Sequence, residues 1–259
     1  MRSAPLIAHV TDPHLLADPG AHLHGWPVAA AFERVLADVR QFAPALDALV
    51  LGGDLVDDCS AAGYRWLDAH LAGLDCPVLA VAGNHDAPER MPRLLTRARV
   101  HKTLALGGWQ LIGLNTHVDG AEHGALAAEE LERLTRSLAD TTRHTLVVLH
   151  HPPMSVGTPW IDAIGLRSPA RFIEALTARG TSARGVLAGH VHQAVTTQIG
   201  GRPVWTTPST MRQFRAGACE FAEDHNARPG WRWLRLGIDG TIDSGVRRID
   251  PTGLTPLSA

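Results

Sequence analysis

Residues 48–54, Ala48-Leu49-Val50-Leu51-Gly52-Gly53-Asp54, decide the fold. Four consecutive apolar residues read as a strand buried on both faces, and Gly-Gly-Asp ends it in a turn that carries a carboxylate. The stretch is flanked by two segments of helical spacing. Val28 to Phe42 repeats its apolar residues at Phe32, Val35, Leu36 and Val39, and Tyr64 to Leu74 follows the turn. Leu6 to Thr11 and Val78 to Val81 are further apolar strands, so the first half alternates strand and helix as parallel βαβ units do. The runs Leu111 to Leu114, Thr145 to Leu149 and Val186 to Ala188 extend the pattern. Helices are expected at Glu129 to Leu138 and at Pro169 to Arg179, the latter with Ser168 as N-cap.

The last 70 or so residues read differently. Gly200-Gly201 separates Ala194–Ile199 from Arg202–Thr206, and Asp239-Gly240 separates Trp231–Ile238 from Thr241–Val246. Both are short-turn hairpin signals. The expectation is an α/β protein of two packed sheets flanked by helices, forming one domain over residues 1–259. The hairpin region at about 194–248 is expected to complete the second sheet. Trp205, Trp231 and Trp233 are expected in the sheet core.

A chain of 259 residues should expose about 11,000 Å² when folded, against about 40,000 Å² unfolded, which leaves a large core. Charged residues at 19% and hydrophobic residues at 45% exclude a disordered or fibrous chain. No apolar run is long enough to span a membrane. Met1 to Thr11 lacks a small-residue cleavage site, so no signal peptide is expected. A net charge of −2 argues against a nucleic-acid polymer or a membrane surface as partner. Cys59, Cys76 and Cys219 are odd in number and contain no CxxC, which suits buried thiols in a cytoplasmic protein.

Histidine is unusually frequent, with 15 copies. Several lie in polar clusters at the predicted strand ends: Asp12-Pro13-His14, Gly53-Asp54, Gly83-Asn84-His85-Asp86, His150-His151 and Gly189-His190-Val191-His192. The carboxyl ends of strands line the ligand crevice of open α/β sheets, so these clusters should converge. Residues two apart on extended chain face one side, which lets Asp12 act with His14 and His190 with His192. Carboxylate, amide and imidazole donors without thiolate suit Mn, Fe, Zn or Co rather than a calcium cage.

The ordered set Asp12-x-His14, Gly53-Asp54, Gly83-Asn84-His85-Asp86, His150 and Gly189-His190-x-His192 resembles the calcineurin-like metallophosphoesterases. That resemblance implies a four-layer α/β/β/α sandwich of two mixed β-sheets and a site for two metal ions. By the resemblance Asp12, His14, Asp54 and His192 hold the first metal. Asp54 bridges to the second, which Asn84, His150 and His190 complete. His14, Asp54, Asn84, His85 and His192 surround the substrate phosphate. His85 is the histidine that assists the leaving group after attack by a metal-bridging hydroxide. Asp86 and Asp57 are placed behind these groups, Asp86 orienting His85 or another ligand. Of the adjacent pair His150 and His151, the resemblance selects His150.

The stretches Leu149 to Pro153, Gly157 to Gly165, Pro208 to Phe214 and Pro229 to Arg232 resemble the bacterial class III cyclic-nucleotide phosphodiesterases. Purple acid phosphatases are set aside, because their metal-binding Tyr would fall where this chain has Asp57. The implied activity is hydrolysis of a small phosphodiester, 3′,5′-cyclic AMP to 5′-AMP. Alternatives are a glycerophosphodiesterase, a broad phosphatase or nucleotidase, and a non-catalytic metal-binding scaffold. Metal identity stays open among Mn, Fe, Zn and Co, as does a homodimer. His22 and His24, in the loop after the first motif, are open as substrate contacts, together with Trp160, Ser209, Thr210 and Gln213. Trp160 is the best-placed aromatic to stack on a base.

Overall fold

Burial alternates along the central strands in a way that fixes the layers. In β1 (Leu6–Val10), Ala8 and Val10 enter one core while Ile7 enters another. Likewise, β2 (Ala48–Leu51) sends Leu49 and Leu51 one way and Ala48 and Val50 the other. Both faces of these strands are covered, which is why they read as unbroken apolar runs. The computed structural model describes residues 4–250 and Leu254. Residues 1–3, 251–253 and 255–259 lie outside the described residues, and with them the ends of the expected 1–259 domain and the start of Met1–Thr11.

The first sheet has the order β12-β11-β1-β2-β3-β4. Here β3 is Val78–Ala80, β4 Ala98–Val100, β11 Gly230–Leu236 and β12 Ile242–Arg248. Strands β1 to β4 run parallel, and β11 and β12 are antiparallel additions. The second sheet has the order β5-β6-β7-β8-β10-β9. Its strands are β5 (Thr103–Leu106), β6 (Trp109–Gly113), β7 (His144–Val148), β8 (Ala183–Ala188), β9 (Thr196–Ile199) and β10 (Arg202–Thr206). Again the middle is parallel and the edges antiparallel.

Helices α1 (Val28–Phe42), α2 (Ala61–Leu71) and α3 (Met91–Leu94) cover the first sheet through Phe32, Val35, Leu67 and Met91. On the far side α4 (Ala128–Ala139) and α6 (Ala170–Thr177) cover the second through Leu134, Leu138, Phe172 and Leu176, and the single-turn α5 (Pro159–Asp162) lies between them in sequence. Between the sheets, Leu79, Val50 and Leu234 meet Leu111, Leu146 and Leu187. Three cores separate four layers, the α/β/β/α sandwich expected. The described chain exposes 11362 Å², close to the scaling estimate. No helix among the described residues is long and apolar enough to cross a membrane.

Three expectations need correction. The hairpin region does not complete a single sheet: β9–β10 joins the second, whereas β11–β12 joins the first beside β1. The cause is Trp231, which is fully buried on the helical side and donates from Nε1 to Asp38 Oδ2 of α1 at 2.8 Å. Arg247 of β12 closes on the same carboxylate with Nε at 2.7 Å and Nη2 at 2.9 Å. Leu234 and Leu236 then point between the sheets. Ser168 does not cap α6, whose N-cap is Pro169 with no side-chain bond; Ser168 has a left-handed φ of 48°, away from the extended backbone of a capping residue. The cysteines are free, but Cys59 and Cys76 are only half-buried and Cys219 is exposed.

Candidate metal centre

The expected strand ends converge at the top of both sheets, and their backbone is unusual there. Asp12, His14, Asp54, His190 and His192 all have positive φ, between 47° and 70°. Such left-handed conformations cost an L-residue about 1–2 kcal/mol each, and their clustering at one place marks a functional site. Glycine fits where a Cβ has no room. At Gly83 a Cβ would strike the Asp54 amide and carboxylate, and at Gly189 the Thr11 hydroxyl and the Asp12 carboxylate.

Every expected ligand reaches this place. His14 Nε2 lies 3.3 Å from His192 Nε2, and His192 Nε2 lies 3.4 Å from Asp12 Oδ1. Asp54 Oδ2 stands between two groups, 3.7 Å from His14 Nε2 and 3.3 Å from His150 Nε2. Asn84 Oδ1 and His190 Nδ1 approach to 3.1 Å. Three imidazoles are oriented from behind, in the manner of metal-ligating histidines. His14 Nδ1 donates to Asp57 Oδ1 at 2.8 Å, His150 Nδ1 to the Gly52 carbonyl at 2.8 Å and His192 Nδ1 to the Arg212 carbonyl at 3.0 Å. Each therefore presents Nε2 inward. The Asp12 carboxylate is fixed by the Thr11 hydroxyl at 2.6 Å and by the His190 amide at 3.0 Å.

The donor set fits a pair of cations. His150 Nε2 is buried with no hydrogen-bond partner and faces Asp54. Burial works against a charge on His150, yet Asp54 and then Asp12 raise its pKa to about 9, so the two carboxylates make this spot favourable to positive charge. Burial likewise opposes ionisation of Asp12 and Asp54, but His192 holds the first below the usual carboxylate range, and His150 the second well below it. His190 and His192 are lowered, chiefly by burial, which favours the neutral imidazole a metal needs. In His151 both nitrogens are engaged, with the Thr116 hydroxyl at 2.8 Å and the Glu122 carbonyl at 3.1 Å. That leaves His150 as the available member of the pair.

His85 stands at the rim with its side chain 43% exposed, and its Nδ1 lies 3.1 Å from the same Asp57 Oδ1 that holds His14. The Asp57 hydrogen bond is the main reason its pKa rises to about 9. Asp86 differs from expectation: it touches neither His85 nor another ligand. Its carboxylate accepts from the amides of Leu55, Val56 and Gly83 and from the Tyr64 hydroxyl at 2.8 Å. The loop carrying Asp54 is thereby locked to the loop carrying Asn84, because a buried carboxylate among orphan amides satisfies several at once.

A cleft of about 200 Å³ opens above the centre, with Asn84, His85 and His190 on its floor and Trp160, Phe214 and Phe221 in its wall. Ser209, Thr210 and Gln213 do not line it. Ser209 Oγ donates to the Asp12 carbonyl at 2.7 Å, Gln213 Nε2 to the Ser209 carbonyl at 2.9 Å, and all three residues are buried. His22 and His24 are exposed; His24 lies near enough to Arg212, Asp57 and Glu223 to feel their charges. Arg212 and Phe221 line the cleft without having been singled out as site residues. The signal available for Phe221 is a second aromatic following Phe214 in the loop between β10 and β11.

The strand-end ligands on a four-layer sandwich define a class, and comparison with known proteins agrees. Residues 5–194 match the calcineurin-like phosphoesterase family, and the chain belongs to that family of metal-dependent phosphoric ester hydrolases. It is 35% identical over 247 residues to the 3′,5′-cyclic adenosine monophosphate phosphodiesterase CpdA of Pseudomonas aeruginosa, covering 95% of this chain and 90% of that one. It is also 35% identical over 257 residues to the CpdA phosphodiesterase of Escherichia coli K12, covering 98% and 93%. The fold is shared with a purple acid phosphatase from yellow lupin, at a TM-score of 0.68, 12% identity, 96% of this chain and 52% of the other.

Proposed function

We propose that this chain hydrolyses 3′,5′-cyclic AMP to 5′-AMP. The observation that carries a two-metal phosphodiester site is the position of Asp54 Oδ2, within 3.7 Å of His14 Nε2 on one side and 3.3 Å of His150 Nε2 on the other. The choice of substrate is supported by the CpdA relatives, which match over nearly their whole length. Asp12, His14, Asp54 and His192 would hold one ion, and Asp54, Asn84, His150 and His190 the other, drawn from Mn, Fe, Zn or Co. When bound, such a pair neutralises phosphoryl charge and lowers the pKa of water toward about 7.

The chain's own groups do the rest. Asp57 keeps the His85 imidazolium charged and fixes its Nδ1–H, so Nε2–H is the proton offered to substrate. As water oxygen bonds to phosphorus and the P–O3′ bond breaks, His85 gives that proton to O3′ and recovers one from solvent. Asp57 also holds His14 through the same oxygen, so proton donor and ligand share one support. The reading includes a small-molecule substrate and a cytoplasmic setting, in keeping with three free cysteines.

The test is kcat/KM for 3′,5′-cyclic AMP beside bis(p-nitrophenyl) phosphate on Mn²⁺-loaded protein, with His85→Ala as control. Preference for cyclic AMP and a loss of about 10²–10⁴-fold in the variant are expected. Good cleavage of the generic diester with scarcely any of cyclic AMP would contradict the nucleotide reading and turn attention to glycerophosphodiesters.

A further inference from the structure

We propose that Phe221 is the surface on which the base of the substrate stacks, and that it sets the preference for nucleotides over simple diesters. The inference rests on the cyclic-nucleotide reading above. Three rings line the cleft, and Phe221 is the most exposed of them. Phe214 lies flat on the His192 imidazole, with ring centroids 4.1 Å apart and planes 8° apart, and is 7% exposed. Trp160 packs edge-on against Phe214 at 5.0 Å and against Phe221 at 5.3 Å. Phe221 is 55% exposed, although it lines the cleft. Trp160, the aromatic favoured from sequence, is half-buried and meets Phe221 at a steep interplanar angle of 73°.

The exposure of Phe221 does not come from a loose loop. Phe214 and Glu223 form an antiparallel bridge, and the Arg215 amide donates to the Ala222 carbonyl at 2.8 Å. The Gly217 amide donates to Thr158 Oγ1 at 3.0 Å, tying the tip to the segment before Trp160. A large apolar ring held out by backbone hydrogen bonds at a cleft mouth is a preorganised stacking platform.

The wall's electrostatics point to a base rather than a second charged group. The Arg212 guanidinium sits over Phe214 and Phe221, 5.4 and 5.5 Å from their centroids, and its Nη1 is neutralised by Glu223 Oε1 at 3.1 Å. The cationic grip for phosphate belongs to the floor, whereas the wall is apolar and charge-balanced. One ring, Phe214, separates His192 from Phe221, the order in which a nucleotide places phosphate, ribose and base.

The test uses Mn²⁺-loaded protein and two substrates, 3′,5′-cyclic AMP and 1-O-methylribofuranose 3,5-cyclic phosphate, which lacks the base. The wild-type kcat/KM ratio should strongly favour the nucleotide. Phe221→Ala and Phe221→Leu should each lower that ratio by about tenfold or more, and Phe221→Tyr should restore it. Calorimetric affinity for 5′-AMP relative to ribose 5-phosphate should fall in parallel. A large wild-type ratio left within about twofold by Phe221→Ala overturns the stacking role alone. A wild-type ratio near one overturns the cyclic-nucleotide reading on which it rests.

Discussion

Asp57 offers the sharpest perturbation, because one oxygen supports two working groups. Asp57 Oδ1 accepts from His14 Nδ1 at 2.8 Å and lies 3.1 Å from His85 Nδ1, with the carboxylate side chain 21% exposed. Asp57→Asn keeps an acceptor oxygen there and removes only the charge. The Asp57 bond is the largest contribution raising His85 from 6.5 to about 9. Without it the imidazole falls back toward its ordinary value. At pH 7.5 the protonated fraction then drops from nearly all to about one-tenth, so kcat/KM should fall about tenfold. In the proposed mechanism protonated His85 is the active form, so the basic limb of the pH–rate profile should move down by about 2.5 units, and the variant should recover toward pH 6. Bound cations lower the His85 pKa in both proteins, so variant and wild type are compared at the same metal loading. Asp57→Ala also releases His14, and losing the partner of a ligating histidine costs about 10–100-fold in metal affinity. The assay is kcat/KM for cyclic AMP from about pH 5.5 to 9.5 at saturating Mn²⁺, with metal content measured in parallel. A basic limb that coincides with wild type and a rate within about twofold would refute the reasoning.

Asp54→Ala should bind neither ion firmly, because its Oδ2 faces both His14 and His150; two metals per chain by elemental analysis would remove the bridging role. Tyr64→Phe takes a buried donor from Asp86 and the acceptor of the Ala87 amide. It should lower unfolding free energy by about 1–3 kcal/mol, and an unchanged denaturant midpoint would contradict this. Asp38→Ala strips partners from Trp231 and Arg247 and should cost about 2 kcal/mol at pH 7. Its pKa is lowered in the fold, first by the Arg247 hydrogen bond, so this stability is present above the unfolded pKa and lost as pH falls through the folded one. The gap to wild type in urea melts should therefore close below about pH 4, and a gap constant with pH would sink that explanation.

Sequence periodicity located the central elements because they are buried on a regular period. Val28 to Phe42 forms a helix between the expected ends, with Phe32, Val35, Leu36 and Val39 buried as spaced. The parallel strands read as apolar runs since both their faces are covered. The short edge strands Ala98–Val100 and Thr103–Leu106 escaped notice, being half exposed with no continuous apolar signal. Hairpin turns were legible, but their sheet was not: it depends on Trp231 reaching Asp38, a contact spanning 193 residues. The same limit applies in the site. Residue types and strand-end positions marked the donors, whereas the supporting roles of Asp57 and Asp86 follow from which atoms they meet across distant loops. Phe221 carries no motif at all, and only its fixed exposure beside Trp160 distinguishes it.

The central claim is that water attacks phosphorus in a cyclic nucleotide with O3′ as the leaving group. It is tested most directly by incubating the Mn²⁺-loaded protein with 3′,5′-cyclic AMP in ¹⁸O-labelled water and analysing the product by mass spectrometry and phosphorus NMR. The account predicts 5′-AMP carrying one labelled oxygen on phosphorus, with His85→Ala forming it far more slowly. Recovery of intact cyclic AMP, or of 3′-AMP as the product, would contradict it.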